Sequence, residues 1–514
     1  MKRSLILLSL LAGPCLFCSY KAEAGTPTTA ATLAEATVKK PVPAYIYNHF
    51  KEYSFFFTYK ESDALCAGYE GNTAVLDKLT NRTYISYFCA GAAAAGHTEL
   101  VLQCLGKGAD PDYGLRGAAA AGHLHIVHLL LDHGANDYND GMIVAAEAGH
   151  FPIVHLLLDK GGDPKFGFES AAKGGHTDIV KFMYDQGACQ YDAGLEYAAE
   201  GGHLHIMQLM FEYGATDYDA GLIGAARGGH MHIVQSMLAQ GATDYDGGLE
   251  AAAEGGHADI VQLMLDKGAT DYRSALIRAA EPGHMHIVQL MLAKGAHPNE
   301  GLQNAARGGY RDMVQLLLDM GADPNEGLYG AAVGGHRDIV QLLLDKGATN
   351  YDAGLVGAVG GGHPELVQFM LSQGATDYNA GLESAAKGGH IDMVQLLLAK
   401  GANPSKGISY AAHFGHTELV QLLLSKGADP NEGIYSAASG GHLHLVQLLL
   451  DNGADPNNAL FAAAYGQVNI LKLLLEQPGI DVNKKDNYGK TPLDCAEATG
   501  HTECAVLLRA AGAE

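Results

Sequence analysis

The sequence contains no tryptophan and has little positive charge, since 33 Lys and Arg residues stand against 57 Asp and Glu residues. The resulting formal net charge of −24 argues against nucleic-acid binding, which depends on Lys and Arg neutralising phosphates. It also argues against binding to an anionic membrane surface. The same charge favours solubility and a protein partner with a basic surface.

Long apolar runs are absent after the N-terminus. Lys2 and Arg3 precede an apolar run from Leu5 to Cys18, and Ala22-Glu23-Ala24 follows it. This order is typical of a secretory signal peptide, and the run is shorter than the about 20 residues that a membrane-spanning helix needs. We therefore predict a signal peptide over residues 1–24 and no membrane span in the mature chain. The protein is expected in the periplasm or secreted, including delivery into a host cell.

Cysteine is scarce. Of the 8 cysteines, Cys15 and Cys18 fall in the predicted signal peptide, and the others are Cys66, Cys89, Cys104, Cys189, Cys495 and Cys504. Their spacing matches neither a disulfide framework nor a zinc site. Cys89 and Cys104 fall within one repeat. They are either small buried hydrophobes or a bridged pair in an oxidising compartment, and the sequence leaves both states open.

The chain does contain a repeat of 26 or 27 residues, marked by a Gly-His step. Its histidines are His97, His123, His150, His176, His203, His230, His257, His284, His336, His363, His390, His416 and His442, with Tyr310 in one position. A fixed period of this size indicates a solenoid, in which each unit buries its apolar face against its neighbours. We predict a linker over residues 25–40, an aromatic cap over 41–63 and about 17 repeat units over 64–514.

Each unit is predicted to form two helices. The first ends at a Gly pair such as Gly201-Gly202, and the second carries an apolar stripe after the His. Intervals with Pro in the connecting turn are 26 residues long, and intervals with Tyr there are 27 residues long. We therefore expect two kinds of turn, one preset by Pro and a longer one anchored by Tyr.

The last unit contains Gly489-Lys490-Thr491-Pro492-Leu493 and then Gly500-His501. It closely resembles a standard ankyrin repeat, and the inner units resemble the same family with about seven of its 33 residues missing. The resemblance implies an all-α fold, an ankyrin-type α-solenoid of stacked helix-turn-helix repeats. Because the missing residues fall where the family has its β-hairpin finger, short turns are expected in its place.

The 25 histidines raise the possibility of a metal site. Stacked helices lie about 8–10 Å apart, whereas zinc needs its ligand nitrogens about 2 Å away, so a ladder with one His per repeat cannot converge on a metal. The resemblance instead implies that each Gly-His histidine tethers the turn by hydrogen bonds. We predict no metal and no cofactor. A role for the histidines in sensing pH near 6 remains open.

Catalytic motifs are absent. The chain contains no Gly-x-Ser-x-Gly motif, no phosphate-cradling Gly-rich loop and no His-Glu-x-x-His motif. The longest segment outside the repeats, residues 25–63, is too short for a catalytic domain. We predict that the protein is not an enzyme and has no catalytic residue.

Candidate binding residues are those that differ between repeats, because recognition requires surfaces that are not all alike. In the ankyrin family the first helix and the residues just after it line a concave groove for protein partners. The candidates are Glu196, Tyr197, Glu200, Arg227, Glu254, Arg278, Glu281, Gln303, Arg307, Tyr329, Glu383, Lys387, Tyr410, His413 and Tyr435. Neutral variation at exposed sites explains such differences equally well.

The predicted function is that of an exported, non-enzymatic scaffold that binds a protein partner on this concave face. One alternative is a structural, self-associating surface protein without a specific ligand. Another is an inhibitor of a partner enzyme.

Overall fold

A computed structural model describes residues 59–79, 82–486 and 488–514. The predicted signal peptide (1–24), the predicted linker (25–40) and all but the last five residues of the predicted cap (41–63) lie outside the described residues. The first described helix, Tyr59–Tyr69, begins within the segment assigned to the cap.

Within the described residues there are 34 α-helices, one short 3-10 helix and no strand. The α-helices form consecutive pairs, in which a first helix ends just before the Gly-His step and a second helix begins just after it. This pairing confirms the predicted all-α, ankyrin-type solenoid of stacked helix-turn-helix repeats. No helix among the described residues has the length and apolarity required to cross a membrane.

The described residues fall into two compact units, one ending at Thr243 and one running from Asp244 to Glu514. The first helices of the first unit are Tyr59–Tyr69, Arg82–Ala94, Pro111–Ala121, Tyr138–Glu147, Pro164–Gly174, Tyr191–Glu200 and Tyr218–Gly228. Its second helices are Thr73–Leu76, Thr98–Gly106, Leu124–Asp132, Phe151–Asp159, Thr177–Asp185, Leu204–Tyr213 and Met231–Gln240.

The second unit continues the same alternation. Its first helices are Tyr245–Gly255, Tyr272–Ala280, Asn299–Gly308, Asn325–Val333, Tyr351–Gly360, Tyr378–Gly388, Ser405–His413, Asn431–Ser439, Leu460–Ala464 and Pro492–Ala498, with the 3-10 helix Pro456–Asn458 before Leu460. Its second helices are Ala258–Lys267, Met285–Lys294, Arg311–Asp319, Arg337–Asp345, Pro364–Gln373, Ile391–Ala399, Thr417–Ser425, Leu443–Asp451, Val468–Leu475 and Thr502–Ala510.

The core of each repeat lies between its two helices and those of its neighbours. In one repeat Leu115 and Ala118 of the first helix and Ile126, Val127 and Leu130 of the second are fully buried. Burying a side chain of the size of Val, Ile or Leu stabilises the fold by about 1.5–3 kcal/mol. Equivalent positions are buried in the neighbouring repeats, so each repeat covers the apolar face of the next.

The two turn lengths have a physical basis in helix capping. In the 26-residue intervals the side chain of the residue before Pro accepts a hydrogen bond from the backbone N–H two positions later. Asp110 Oδ1, for example, accepts from the Asp112 N–H at 3.1 Å. In the 27-residue intervals an Asp or Asn before Tyr accepts from the N–H three positions on, as Asp217 Oδ1 does from Ala220 at 3.0 Å, whereas Gln190 before Tyr191 makes no such bond. The extra residue is therefore accommodated by the Asp or Asn cap, while the Tyr that we expected to anchor the turn is the first residue of the helix.

A second set of side-chain bonds connects successive turns. Asp192 Oδ1, in the first turn of its helix, accepts from the backbone N–H groups of Thr216 at 2.7 Å and Asp217 at 2.9 Å in the next repeat. An Asp, Asn or Ser makes the equivalent bond in many repeats of both units, for example Asn325 to Thr349. These bonds satisfy backbone donors that a strand would otherwise pair, so the repeats stack without a β-hairpin finger.

Candidate protein-binding surface

The Gly-His histidines connect neighbouring repeats. The His203 Nε2–H donates to the carbonyl oxygen of Lys173, the residue three before the previous Gly-His histidine, at 3.0 Å. The same bond joins His230 to the Glu200 carbonyl at 3.0 Å and His442 to the His413 carbonyl at 2.9 Å. The predicted hydrogen bonding is present, but it reaches across to the preceding repeat and is not confined to the turn of its own repeat.

Each of these imidazole rings also packs over a glycine of the preceding repeat. Gly202 lies in the turn between the two helices of its repeat and has φ +78°, the left-handed conformation that favours glycine, and a Cβ placed there would lie 2.6 Å from Cε1 of His230. The Gly-His step is therefore a structural element in which the glycine of one repeat is covered by the histidine of the next.

Burial lowers the pKa of several of these rings, because the charged form loses its hydration. The pKa is lowered at His123, His203, His284, His416 and His442, with burial as the largest cause. A neutral ring donates its single N–H to the carbonyl. Among the described residues, no three His, Cys, Asp or Glu side chains converge as a metal site would require.

The predicted contact residues all lie on first helices, except Glu281, which directly follows one. Glu254, Arg278, Glu281, Gln303, Tyr410, His413 and Tyr435 are exposed, and Glu196, Tyr197, Glu200, Arg227, Arg307, Tyr329, Glu383 and Lys387 are half-buried. They therefore share one face of the repeats within each unit, which we call the first-helix face.

In the first unit the charges on this face pair with one another. Arg227 Nη1 lies 3.1 Å from Glu196 Oε1 and 3.2 Å from Glu200 Oε2. Lys173 Nζ lies 3.0 Å from Glu200 Oε1, so Glu200 bridges two cations from neighbouring repeats. Burial opposes the charge of Arg227, but Glu200 and Glu196 outweigh it and raise the pKa of the guanidinium. Three of the predicted contact residues are thus already engaged with each other.

A carboxylate that we did not predict belongs to the same charged group. Burial raises the pKa of Glu169, and the nearby carboxylates of Asp163 and Glu196 raise it further. The neighbouring Tyr197 hydroxyl also has a raised pKa, from burial first and then from Glu169, Glu196 and Glu200. Glu169 precedes its Gly-His histidine by seven residues, as Glu196 does, so this shared position could have revealed it.

In the second unit the charged pairs on this face have more exposed partners. Arg278 Nε lies 2.7 Å from Glu250 Oε1, with more than half of the arginine side chain exposed. Arg307 Nη1 is 3.9 Å from Glu281 Oε1. Exposed ion pairs of this kind contribute about 0–1 kcal/mol. Among the other predicted charges of this unit, Lys387 Nζ lies 5.9 Å from the ring centroid of Phe414.

Aromatic side chains dominate the first-helix face toward the end of the second unit. Tyr410, Phe414, Tyr435 and Tyr465 are exposed in three successive repeats, and we call these four residues the aromatic row. The first helices that carry or precede them pack side by side, and Ser409 Oγ lies 2.7 Å from Ser436 Oγ between Tyr410 and Tyr435. Tyr410 and Tyr435 were predicted from the sequence, whereas Phe414 and Tyr465 were missed; each of these two directly follows the last residue of its helix.

The family model for three copies of the ankyrin repeat matches this chain at overlapping positions that together cover residues 90–166 and 222–514. No curated protein is significantly similar to the chain. The matched segments include the helix pairs of both units and the shortened inner repeats. The chain is therefore a member of the ankyrin repeat family.

Proposed function

We propose that this ankyrin repeat scaffold binds a protein partner on the first-helix face, with the aromatic row as its main anchor. The exposure of the aromatic row carries the proposal. Tyr435 and Tyr465 are 49% and 48% exposed, although aromatic rings contribute most when they are buried. Tyr is also among the side chains that most often dominate the energy of protein interfaces.

The charged residues of the first-helix face are proposed to contribute less to affinity than the aromatic row. Arg227, Glu196, Glu200 and Lys173 already form ion pairs, so a partner would have to replace bonds that exist in the free protein. Interactions that merely exchange partners add little net affinity. The net charge of −24 instead acts over longer distances, by speeding the approach of a partner with a basic surface.

The test uses the mature chain, residues 25–514, to capture partners from the organism's own exported proteins. The variant Tyr410→Ala/Phe414→Ala/Tyr435→Ala should weaken binding of a captured stoichiometric partner by about 30-fold or more, as expected when hot-spot residues are truncated. The matched control is Leu443→Ala/Tyr488→Ala, which removes two other exposed apolar side chains that do not belong to the aromatic row. Equal binding by wild type and the triple variant would reject the aromatic row as the anchor.

Two other outcomes would favour the alternative functions. Concentration-dependent oligomers of the chain, with no heterologous partner, would indicate a structural, self-associating protein. Loss of a captured enzyme's activity on binding would indicate an inhibitor. Ankyrin repeat proteins are generally scaffolds without enzymatic activity, and we propose the same for this chain.

Export is the second part of the proposal, and it rests on the N-terminal pattern of Lys2 and Arg3, an apolar run and Ala22-Glu23-Ala24. Sequencing the N-terminus of the protein recovered from outside the cytoplasm should give Gly25 as the first residue. Recovery of the full-length chain with Met1 or Lys2 at its N-terminus, only from the cytoplasm, would exclude export.

A further inference from the structure

The repeat formed by Arg82–Ala94 and Thr98–Gly106 differs from its neighbours in the core. The inner repeats have two large buried apolar side chains, one eight residues before the Gly-His histidine and one seven residues after it. Leu115 with Leu130 and Leu195 with Met210 are examples. In this repeat both positions are cysteines, Cys89 and Cys104, and both are fully buried. The two changes occur together and in the same pair of helices.

The two thiols also meet. Cys89 and Cys104 lie in the core of one packed pair of helices, close enough for their side chains to interact, and both are free in this structure. Two thiols occupy much less volume than two Leu or Met side chains, so the core of this repeat loses the apolar contacts that its neighbours have. A covalent bond between the sulfurs would compensate for that loss.

We propose that Cys89 and Cys104 form a disulfide that staples the two helices of this repeat when the protein folds in an oxidising environment. The proposal does not depend on partner binding. The repeat lies near the beginning of the first unit, next to a helix pair whose second helix, Thr73–Leu76, is only four residues long. Repeats near the end of a solenoid gain least from their neighbours and open most easily, so a covalent staple has the greatest effect there.

Oxidised glutathione can supply the oxidising equivalents. One cysteine thiolate attacks a sulfur of oxidised glutathione, the glutathione S–S bond breaks, and one glutathione leaves as its thiolate. The second cysteine thiolate then attacks the protein sulfur of the mixed disulfide and releases the second glutathione. The two protein thiols lose two electrons and two protons in total, and one oxidised glutathione becomes two reduced molecules.

The burial of the pair determines when this reaction occurs. The hydrogen bond to Cys104 and burial raise the pKa of Cys89 well above its usual value, so little thiolate forms in the folded repeat. No reagent can reach sulfurs that have no exposed surface. The disulfide must therefore form while the helix pair is still open, and the folded reduced protein should oxidise slowly.

The experiment refolds the mature chain in reduced glutathione alone or in a mixture of reduced and oxidised glutathione. Each sample is then unfolded without reductant and treated with N-ethylmaleimide. We expect all of Cys66, Cys89, Cys104, Cys189, Cys495 and Cys504 to be alkylated after reducing refolding, and all except Cys89 and Cys104 after oxidising refolding. Cleavage after Glu99 separates the two cysteines, so their peptides should stay joined until a reductant is added.

Full alkylation after oxidising refolding, or a bond that joins Cys66 or the exposed Cys189 instead, would overturn the proposal. The variant Cys89→Leu/Cys104→Leu restores the residue type of the neighbouring repeats and serves as the matched control. Its amide exchange over residues 82–106 should be the same in both refolding mixtures, whereas the wild type should exchange more slowly after oxidation. Equal exchange in oxidised and reduced wild type would show that no staple is present.

Discussion

At the residue scale, the Gly-His histidines both pack on and hydrogen-bond to the preceding repeat. His203 covers Gly175, where a Cβ would approach the ring to 2.6 Å, and donates to the Lys173 carbonyl at 3.0 Å. This hydrogen bond is partly buried, and removing one partner of such a bond costs free energy. The repeat motif is therefore explained by contacts between repeats.

The substitution His203→Ala should lower the free energy of unfolding by about 1–3 kcal/mol, because it leaves the Lys173 carbonyl without its donor. Urea denaturation of the mature chain measures the change. The matched control is His205→Ala, two residues on, whose exposed side chain should change stability by less than about 0.5 kcal/mol. Equal effects of the two substitutions would contradict a stabilising role of the His203–Lys173 hydrogen bond.

Replacing a glycine inside a first helix by alanine is expected to destabilise this protein, whereas the same substitution stabilises most helices. Replacing a helical Gly by Ala ordinarily stabilises a helix by about 1 kcal/mol. At Gly224 the added Cβ would lie 2.0 Å from the Glu196 carbonyl oxygen of the preceding repeat. Gly224→Ala should therefore destabilise the chain by about 1–3 kcal/mol.

The control for this prediction is Gly106→Ala. Gly106 is the last residue of Thr98–Gly106, and an added Cβ there meets nothing within 4 Å. We expect this variant to be unchanged or slightly more stable by urea denaturation. A stabilising effect of both alanine substitutions would contradict the close packing between neighbouring first helices.

At the element scale, neighbouring first helices are held together by charges as well as by small residues. Glu200 lies between Lys173 and Arg227, which come from the first helices on either side of its own. The Glu200 side chain is only 15% exposed, so the surrounding water screens these pairs less than it screens surface pairs. The register of the helices is thus supported where the Ala and Gly residues leave few large contacts.

The substitution Arg227→Met should lower the free energy of unfolding by about 1 kcal/mol at low salt, because Glu196 and Glu200 lose this guanidinium while the apolar stem is kept. The loss should shrink in 1 M NaCl, where the Debye length falls to about 3 Å. Arg278→Met, with its more exposed pair, should have a smaller effect. A loss for Arg227→Met that does not change with salt would point to packing and not to charge.

At the scale of the whole molecule, the Gly-His histidines make stability depend on pH. Burial lowers the folded-state pKa of His123, His203, His284, His416 and His442 below the unfolded value of about 6.5. The unfolded chain therefore binds more protons between these two pKa values. The stabilisation is fully present above about pH 6.5 and is lost as the pH falls through the folded pKa values.

We therefore expect the urea midpoint of the mature chain to fall when the pH is lowered from 7.5 to 5.5. Asp110, Asp137 and Glu169 have raised pKa values from burial, so they favour the folded state on acidification. Their stabilising effect grows as the pH falls through their raised folded pKa values and is complete near the unfolded value of about 4, so it offsets only part of the loss from the histidines. A urea midpoint that stays constant between pH 5 and 8 would contradict the prediction and exclude a pH role for the histidine ladder.

The sequence predicted much of this architecture because its signals are local. The Gly-His step marks the break between two helices, and the choice of Pro or Tyr shows which capping geometry follows, two or three residues after the Asx residue. Tyr410 and Tyr435 were identifiable because they differ from their equivalents in other repeats. Phe414 was missed because the residue after a helix end is exposed or buried according to how the turn packs.

The amino-acid sequence by itself determined the length of the repeat, the pairing of helices and the set of buried residues, since each depends on spacing within one helix or one turn. Only the tertiary structure decided which side chains of different repeats meet. Lys173, Glu200 and Arg227 are 27 residues apart along the chain, and their ion pairs depend on how far neighbouring helices are rotated and shifted. The same packing pairs these charges and leaves the aromatic row exposed.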